Sequence, residues 1–248
     1  MKKPTIHVYG ICYNEEVLMP HFLKHYSKFC EKIFIYDNFS NDKSIEICSQ
    51  FSCVSVLRFD TGNKIRDDIY LKLKNDIWKK SRGEADLVIV CDIDEFLYSP
   101  NLIESISNSY YKKFTLFKCH GFNMVTGQLP TSSNQLFSDF QFGVKETNFD
   151  KILMFDPNKI EEINYGFGAH DACPIGDIKY ADSNFALLHY KFLDLDYLQN
   201  RYKMFSERLS EYNKKLNLGY HYTFSKYRIQ SEYNKIRKNA FNVIDFLR

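Results

Sequence analysis

Short apolar runs alternate with helix-type spacing through the first half of the chain. The strand-like runs are TIHVYGICYN, IFIYDN, VSVLRF and LVIVCDID, which begin at residues 5, 33, 54 and 87. Between these runs, apolar residues recur at the intervals expected for one face of an amphipathic helix. Strands that alternate with helices build βαβ units and a parallel sheet. The pattern therefore predicts an α/β sandwich with a mostly parallel central sheet.

The second half of the chain is less regular. Strand-like KFTLFKC, KILMF and FALLHYKF begin at residues 113, 151 and 185 and are separated by loops. After them, apolar positions from Leu195 to Leu216 alternate in steps of three and four, which predicts one helix from Asp194 to about Leu218 with Gly219 as its stop. We therefore predict one domain over residues 1–193 and a helical, basic, Tyr-rich C-terminal extension over 194–248.

Composition and charge narrow the classes of partner. The chain has 248 residues and a formal net charge of +2, which is too small to indicate a nucleic-acid partner. Between Arg201 and Ala240 there are ten basic and three acidic residues. Cationic helices are attracted to anionic lipid, so this surplus predicts peripheral membrane contact, although charges that simply face water are the alternative.

The cysteines and the apolar runs predict a location. The seven cysteines are odd in number and form no CxxC pair, which is typical of buried free thiols in a reducing compartment. No apolar run approaches the ~20 residues that span a bilayer, and the N-terminus lacks the apolar stretch of a signal peptide. We expect a cytoplasmic protein that contacts the inner face of the membrane peripherally; the oligomeric state stays open.

Three carboxylates follow the apolar run that ends at Cys91: Asp92, Asp94 and Glu95. In a parallel α/β sheet, ligands bind outside the carboxyl ends of the strands. Carboxylates that crowd together repel one another, and hard oxygen ligands suit Mg or Mn, which also bind phosphates. The cluster therefore predicts a metal site; a solvated turn or a helix N-cap is the alternative.

Polar residues also follow two other predicted strands. Tyr13, Asn14 and Glu15 follow the first, and Asp37 follows the second. Because these strand ends converge at one edge of the sheet, the residues are candidates for the same site as the carboxylates.

The motifs ICYNEEVLMPHFLKHY, IFIYDNFSND, TGNKIRDDIYLKLKNDIWKKSRGEADLVIVCDIDEFL and LLHYKF resemble the glycosyltransferase family 2-like enzymes of GT-A fold that carry a DxDEF motif. The resemblance covers roughly residues 5 to 205 and is strongest up to Leu97. It implies a GT-A type Rossmann-like sandwich with a nucleotide-binding half over about 1–98 and an acceptor half over about 99–193. It also implies transfer of a sugar from a nucleotide diphosphate donor, with UDP favoured, to an acceptor hydroxyl, aided by Mn or Mg.

The resemblance also implies roles for individual residues. Asp92, Asp94, Glu95 and His189 would form the metal site, and Asp92 would also face the ribose. The nucleotide would contact the strand-end residues and the helix beside them, through Tyr13, Asn14, Glu15, Asp37, Arg66 and Asn75. For Arg66, pairing with Asp67 or Asp68 on a solvated helix face is an equal alternative. His189 is as readily a half-buried structural histidine.

An inverting transfer needs a general base for the acceptor hydroxyl. The segment GFGAHDACPIGD places His170 and Asp171 directly after a glycine-rich turn, so we expect Asp171 to be the base, with His170 as its neighbour or alternative. The Glu-Asp pair usual in the family is absent. Family analogy predicts that the configuration at the sugar C1 is inverted. It also predicts that the acceptor is a surface glycan of capsule or lipooligosaccharide type, which can be linked to a lipid.

Two other functions fit parts of the sequence. An apolar strand that ends in DxD also occurs in haloacid-dehalogenase-like phosphatases, where Asp92 would be the nucleophile. Here two βα units precede the motif, and Phe96 occupies a position where a small residue is usual. A non-catalytic module that binds sugar nucleotides or glycans is the other alternative, against which the intact carboxylate cluster argues.

Overall fold

The computed structural model describes residues 3–131, 134–181 and 185–248. Four parallel strands form one half of the main sheet, and they pair in the order β3-β2-β1-β4. These strands are β1 (Ile6–Cys12), β2 (Lys32–Asp37), β3 (Val54–Arg58) and β4 (Leu87–Asp92). The first three coincide with strands predicted from the apolar runs, and β4 begins where predicted but ends at Asp92. The predicted fold class, mixed α/β with a mostly parallel central sheet, is confirmed.

The second half of the chain extends this sheet beyond β4. The added strands are β5 (Glu95–Tyr98), β6 (Leu116–Val125), β7 (Phe142–Lys145), β8 (Ile152–Phe155), β11 (Phe185–Phe192) and β12 (Phe241–Asn242). Strand β8 pairs antiparallel with both β4 and β6, while β11 runs parallel to β6 and antiparallel to β5. A small separate ladder joins β9 (Ile160–Glu162) to β10 (Ile175–Gly176).

Helices connect the strands and flank the sheet. They are α1 (Met19–Tyr26), α2 (Ser44–Cys48), α3 (Asp67–Asp76), α4 (Leu102–Tyr111), α5 (Leu136–Asp139), α6 (Leu195–Arg208), α7 (Glu211–Lys215), α8 (Lys226–Asn239) and α9 (Val243–Phe246). On β1, Val8 packs with the core under α1 and α2, and Tyr9 packs with the core that holds Trp78 after α3. This alternation of faces is what a strand buried on both sides requires.

A sharp corner follows β4. The strand ends at Asp92, Ile93 and Asp94 form a turn, and Glu95 begins β5. The prediction of one strand through Asp94 is wrong at this point, because Ile93 is buried and the Asp94 carbonyl accepts a hydrogen bond from the Tyr190 amide on β11. In the β5–β11 ladder, Glu95 lies opposite His189. The corner thus brings β11 to the acidic tip of β4.

The C-terminal extension does not contain the single long helix that the apolar spacing predicts. Helix α6 ends at Arg208, and α7 begins after Ser210, whose side chain accepts a hydrogen bond from the Asn213 amide. The helix breaks because the main chain here pairs with Ile65 instead, which donates to the Arg208 carbonyl and accepts from the Ser210 amide. Gly219 has a left-handed backbone after Leu218, as expected for a stop. No helix in the described part of the chain is long and apolar enough to cross a bilayer.

We expect His25 to make the fold sensitive to acid. Burial lowers the pKa of His25 to about 4, while Nε2 lies 2.9 Å from the Leu97 carbonyl oxygen. An unfolded histidine titrates near 6.5. The stability that the neutral His25 ring contributes is therefore fully present above pH 6.5. As the pH falls to about 4, this contribution to the free energy of unfolding is lost, which amounts to roughly 3 kcal/mol. Urea unfolding of the wild type and of His25→Gln between pH 7 and pH 4 measures this loss of stability. A substitution at an exposed histidine, His120→Gln, is the control. Equal pH slopes for the wild type and His25→Gln would contradict the assignment.

Candidate active site

A cavity of about 380 Å³ opens at the carboxyl edge of β1 and β4. Its walls come from β1, α3, the β4–β5 corner, the loop near His170, β11 and the C-terminal extension. The charged side chains that line it, among the described residues, are Glu15, Asp67, Asp92, Asp94, Glu95, Lys74, Lys191, Arg201 and Arg208. The cavity therefore lies where the strand-end pattern places a ligand site.

Asp92 is held by a buried lysine. The Nζ atom of Lys74, on α3, lies 2.8 Å from each carboxylate oxygen of Asp92. Lys74 is almost fully buried, whereas 40% of the Asp92 side chain is exposed. Burial alone would raise the pKa of Asp92, but the charges of Lys74 and Lys151 lower it below its ordinary value. Asp92 is thus an ionised carboxylate that already has a cation.

The Glu95 carboxylate is held in a buried ion pair at the wall of the cavity. Its Oε1 atom lies 2.5 Å from Nζ of Lys151 on β8, and both side chains are at most 2% exposed. Its Oε2 atom accepts a hydrogen bond from the Asp92 amide at 3.0 Å. This buried ion pair fixes the backbone of the corner that carries Asp92 and Asp94.

Asp94 faces a histidine and an arginine. Its Oδ2 atom is 3.3 Å from Nε2 of His189 and 3.7 Å from Nη2 of Arg201. Nδ1 of His189 lies 2.8 Å from Oδ1 of Asn123, and this contact orients the ring with Nε2 toward Asp94. Burial opposes ionisation of Asp94, but His189 and Arg201 lower its pKa well below the ordinary value.

Glu15 joins the first strand to the C-terminal extension. Its two oxygens accept from Nη1 and Nη2 of Arg201, on α6, at 2.7 and 2.5 Å. This is the bidentate geometry that makes arginine–carboxylate pairs specific. Burial nevertheless raises the pKa of Glu15 to about 7, against the opposing effect of Arg201. The pair places α6 against the cavity.

The four predicted metal ligands are not equivalent in the structure. No group of three or more His, Cys, Asp and Glu side chains is arranged to hold a metal ion within the ranges that the structure describes. Asp94 and His189 do fit as a pair, because a carboxylate oxygen and a ring nitrogen lie 3.3 Å apart and Asn123 orients the ring. Two protein ligands suffice for Mg or Mn when phosphates and water complete the shell.

The two candidate bases lie in different surroundings. His170 lines the cavity and packs edge-on against Phe149, which stacks on His189. Burial, followed by the charge of Lys151, lowers the pKa of His170 below 6.5, so its ring is neutral at pH 7. Both residues are exposed to solvent, but Asp171 does not line the cavity.

Tyr13 lies under an arginine that has no carboxylate partner. The Arg208 guanidinium carbon is 3.1 Å from the Tyr13 ring centroid. Arg208 is only 5% exposed, its Nε atom bonds to Asn63, and its Nη2 atom has no hydrogen-bond partner. Tyr13 also borders a shallow depression of about 280 Å³ lined with Phe39, Asn41, Asp60 and Asn63. The same side chain also bonds to Tyr70, so Nη2 is its one unpartnered buried nitrogen among the described residues. That atom indicates a position for an anion.

The other predicted nucleotide contacts lie outside the cavity walls. Asn14 exchanges two hydrogen bonds with Asn41, and Arg66 pairs with Asp68 at 2.6 Å, as its alternative interpretation proposed. Asn75 exchanges two hydrogen bonds with the Tyr165 backbone, which ties α3 to the segment before His170. The Asp37 side chain is fully buried. One of its oxygens accepts from the Ser40 amide and the other has no hydrogen-bond partner.

Sequence reasoning missed four cavity cations: Lys74, Lys191, Arg201 and Arg208. Lys74 is adjacent to Asn75, which the family resemblance did single out. Arg201 and Arg208 belong to the basic surplus that was interpreted as a lipid-facing surface. The sequence did contain one signal that Arg201 and Arg208 act together. They are seven residues apart, so they lie on the same side of a helix.

Comparison with known proteins gives a fold likeness only. No protein-family model and no curated protein matches the chain. Among solved structures, TarS of S. aureus is 13% identical, with 81% of this chain and 38% of TarS covered and a TM-score of 0.48. A Mycobacterium tuberculosis glucosyl-3-phosphoglycerate synthase in complex with Mn2+, UDP and glucosyl-3-phosphoglycerate is 15% identical over 48% of this chain and 44% of its own, with a TM-score of 0.33.

A third similar structure is GalNAc-T7 with UDP, GalNAc and Mn2+. It is 15% identical, with 50% of this chain and 24% of GalNAc-T7 covered and a TM-score of 0.36. The chain spans less than two thirds of the length of each of these three structures. Because all three TM-scores are below 0.5, the case for a function rests on the side chains of the cavity.

We expect Glu95 and Lys151 to be strongly coupled. Either Glu95→Gln or Lys151→Met leaves one buried charge unpaired, which costs about 3–5 kcal/mol. The double variant should recover much of that loss, because both charges are then gone. Urea unfolding of the four proteins gives the coupling energy, with Asp177→Asn in the exposed Asp177–Lys179 pair as a control that changes little. Additive losses from the two single changes would contradict the pairing.

Proposed function

We propose that this protein is a glycosyltransferase that moves a sugar from a nucleotide diphosphate donor, UDP-sugar by preference, to an acceptor hydroxyl. The observation that carries the proposal is the cavity at the tip of β4. It combines the Asp94–His189 pair with an arginine, Arg208, that has an unsatisfied buried donor. A diphosphate needs such a combination of cationic groups and metal-binding oxygen and nitrogen. The proposal includes a GT-A type arrangement of the domain.

The donor lies along the carboxyl edge of the sheet in this proposal. Its nucleoside lies beside Tyr13 and in the adjoining depression. Its diphosphate accepts hydrogen bonds from Arg208. Asp94 and His189 would hold Mn or Mg, which when bound neutralises charge on the departing diphosphate. Asp92 faces the same space, and Lys74 keeps it ionised.

The transfer breaks the bond from the sugar C1 to the diphosphate oxygen and forms a bond from C1 to the acceptor oxygen. Nε2 or Nδ1 of the neutral His170 ring takes the proton of that hydroxyl, and the electron pair of the broken bond leaves with the diphosphate. Arg208 and Arg201 stabilise the negative charge that develops there. Attack from the side opposite the diphosphate inverts the configuration at C1.

The acceptor in this proposal is a surface glycan of capsule or lipooligosaccharide type. A lipid-linked acceptor would agree with peripheral contact of the basic C-terminal extension with the membrane. A phosphatase with Asp92 as nucleophile is less consistent with the structure, because both Asp92 oxygens are already 2.8 Å from Lys74.

Donor binding should depend on Asp94 and Arg208. We expect UDP to bind the wild type in the presence of Mn, Asp94→Asn to remove the Mn-dependent part of the affinity, and Arg208→Gln to weaken binding about tenfold, because a charge-assisted hydrogen bond is lost. Isothermal titration calorimetry measures each affinity. Lys203→Gln, an exposed change on the same helix as Arg208, is the matched control.

Two outcomes of this titration would contradict the proposal. One is a wild type that binds neither UDP nor any UDP-sugar with Mn. The other is an Asp94→Asn protein that responds to Mn as the wild type does. Turnover of p-nitrophenyl phosphate, lost in Asp92→Asn, would instead favour the phosphatase.

His170 should act in the chemical step. His170→Gln is expected to lower the kcat for UDP release from a UDP-sugar by about 10²–10⁴, the usual contribution of a general base, with little change in the donor KM. The assay follows UDP over a panel of UDP-sugars with water or a glycan as acceptor. Asp171→Asn is the discriminating variant: if it loses kcat and His170→Gln does not, the base is Asp171.

A further inference from the structure

Lys191 lies in the cavity wall, and no carboxylate in the described part of the chain forms an ion pair with it. It is on β11, two residues after His189. Four lysine and arginine side chains line the cavity among the described residues, and Lys74 and Arg201 are in ion pairs with its carboxylates. Within the described residues, neither Lys191 nor Arg208 forms an ion pair with a carboxylate. The carboxylates of Asp94, Glu232 and Glu146 act on Lys191 only from a longer distance. Two cavity cations are therefore available to anions from outside the protein.

The surroundings of Lys191 are aromatic. Its Nζ atom is 5.4 Å from the ring centroid of Tyr202 and 5.7 Å from that of Phe192. The His221 ring, which also lines the cavity, is 5.6 Å from the Tyr202 ring. Burial, followed by the charge of Lys191, lowers the pKa of His221 to about 3. His221 is thus a neutral polar neighbour of Lys191.

Lys191 and Arg208 serve different parts of the cavity. Arg208 contacts Tyr13 and Asn63, next to β1 and the segment after β3. Lys191 contacts Tyr202 on α6 and Phe192 on its own strand. One diphosphate beside Tyr13 satisfies Arg208 and leaves Lys191 without an anion. A largely buried ammonium is costly to keep unless something pairs with it.

We propose that the acceptor carries an anionic group, a phosphate or a carboxylate, that binds to Lys191. This inference rests on the proposed function and specifies the class of its second substrate. The anion would fix the acceptor so that its hydroxyl faces His170, which lines the same cavity. Tyr202 and His221 would border the acceptor group. Lys191 is thereby a specificity residue for the acceptor and not part of the donor site.

The test uses glycerol 3-phosphate as the anionic probe and glycerol as its neutral match, at constant ionic strength and with saturating UDP and Mn. Binding to the wild type, Lys191→Gln, Lys191→Arg and the exposed control Lys203→Gln is measured by ligand-observed NMR. We expect glycerol 3-phosphate to bind the wild type, Lys191→Arg and Lys203→Gln. We expect about tenfold weaker binding to Lys191→Gln, no binding of glycerol, and unchanged UDP affinity in all four proteins.

Each other result overturns the inference. Glycerol 3-phosphate that fails to bind the wild type, or that binds Lys191→Gln equally well, removes the anion subsite. A loss of UDP affinity in Lys191→Gln assigns Lys191 to the donor instead. If the wild type does not bind UDP, the proposed function fails, but the same comparison without UDP still tests whether Lys191 binds the anion.

Discussion

The ion pairing of the carboxylates at the tip of β4 is the interaction on which the cavity depends. Three acidic side chains within four residues cannot share a half-buried corner unless each has its own positive partner. Each partner comes from a different part of the chain: Lys74 on α3 for Asp92, Lys151 on β8 for Glu95, and Arg201 on α6 with His189 on β11 for Asp94. The folding of four distant segments is therefore coupled to the formation of one site.

This coupling makes the C-terminal extension part of the site. Arg201 binds Glu15 through two hydrogen bonds and also faces Asp94. Arg208 follows on the same helix, at the point where pairing with Ile65 ends it. The helix break thus fixes a guanidinium over Tyr13, where a nucleotide would lie. In the proposed enzyme, the extension supplies the leaving-group side of the cavity as well as basic surface.

The four parallel strands could be predicted from the sequence, because buried parallel strands are near-continuous apolar runs. The cavity lies at their carboxyl ends, where such a sheet binds ligands. The sequence did not predict which side chains meet. Asp37 and Glu95 are acidic residues at strand ends like Asp94, yet both are buried. The partners of Asp92 and Glu95 are 18 and 56 residues away, and a single sequence carries no signal for such pairings.

The most direct test of this account is a titration of the wild type with Mn2+, followed by electron paramagnetic resonance, with and without UDP. Because the tip carboxylates already have protein cations, Mn2+ alone should bind weakly, and UDP should tighten its binding at least tenfold by adding diphosphate oxygens to Asp94 and His189. An affinity for Mn2+ that is the same with and without UDP would contradict this prediction.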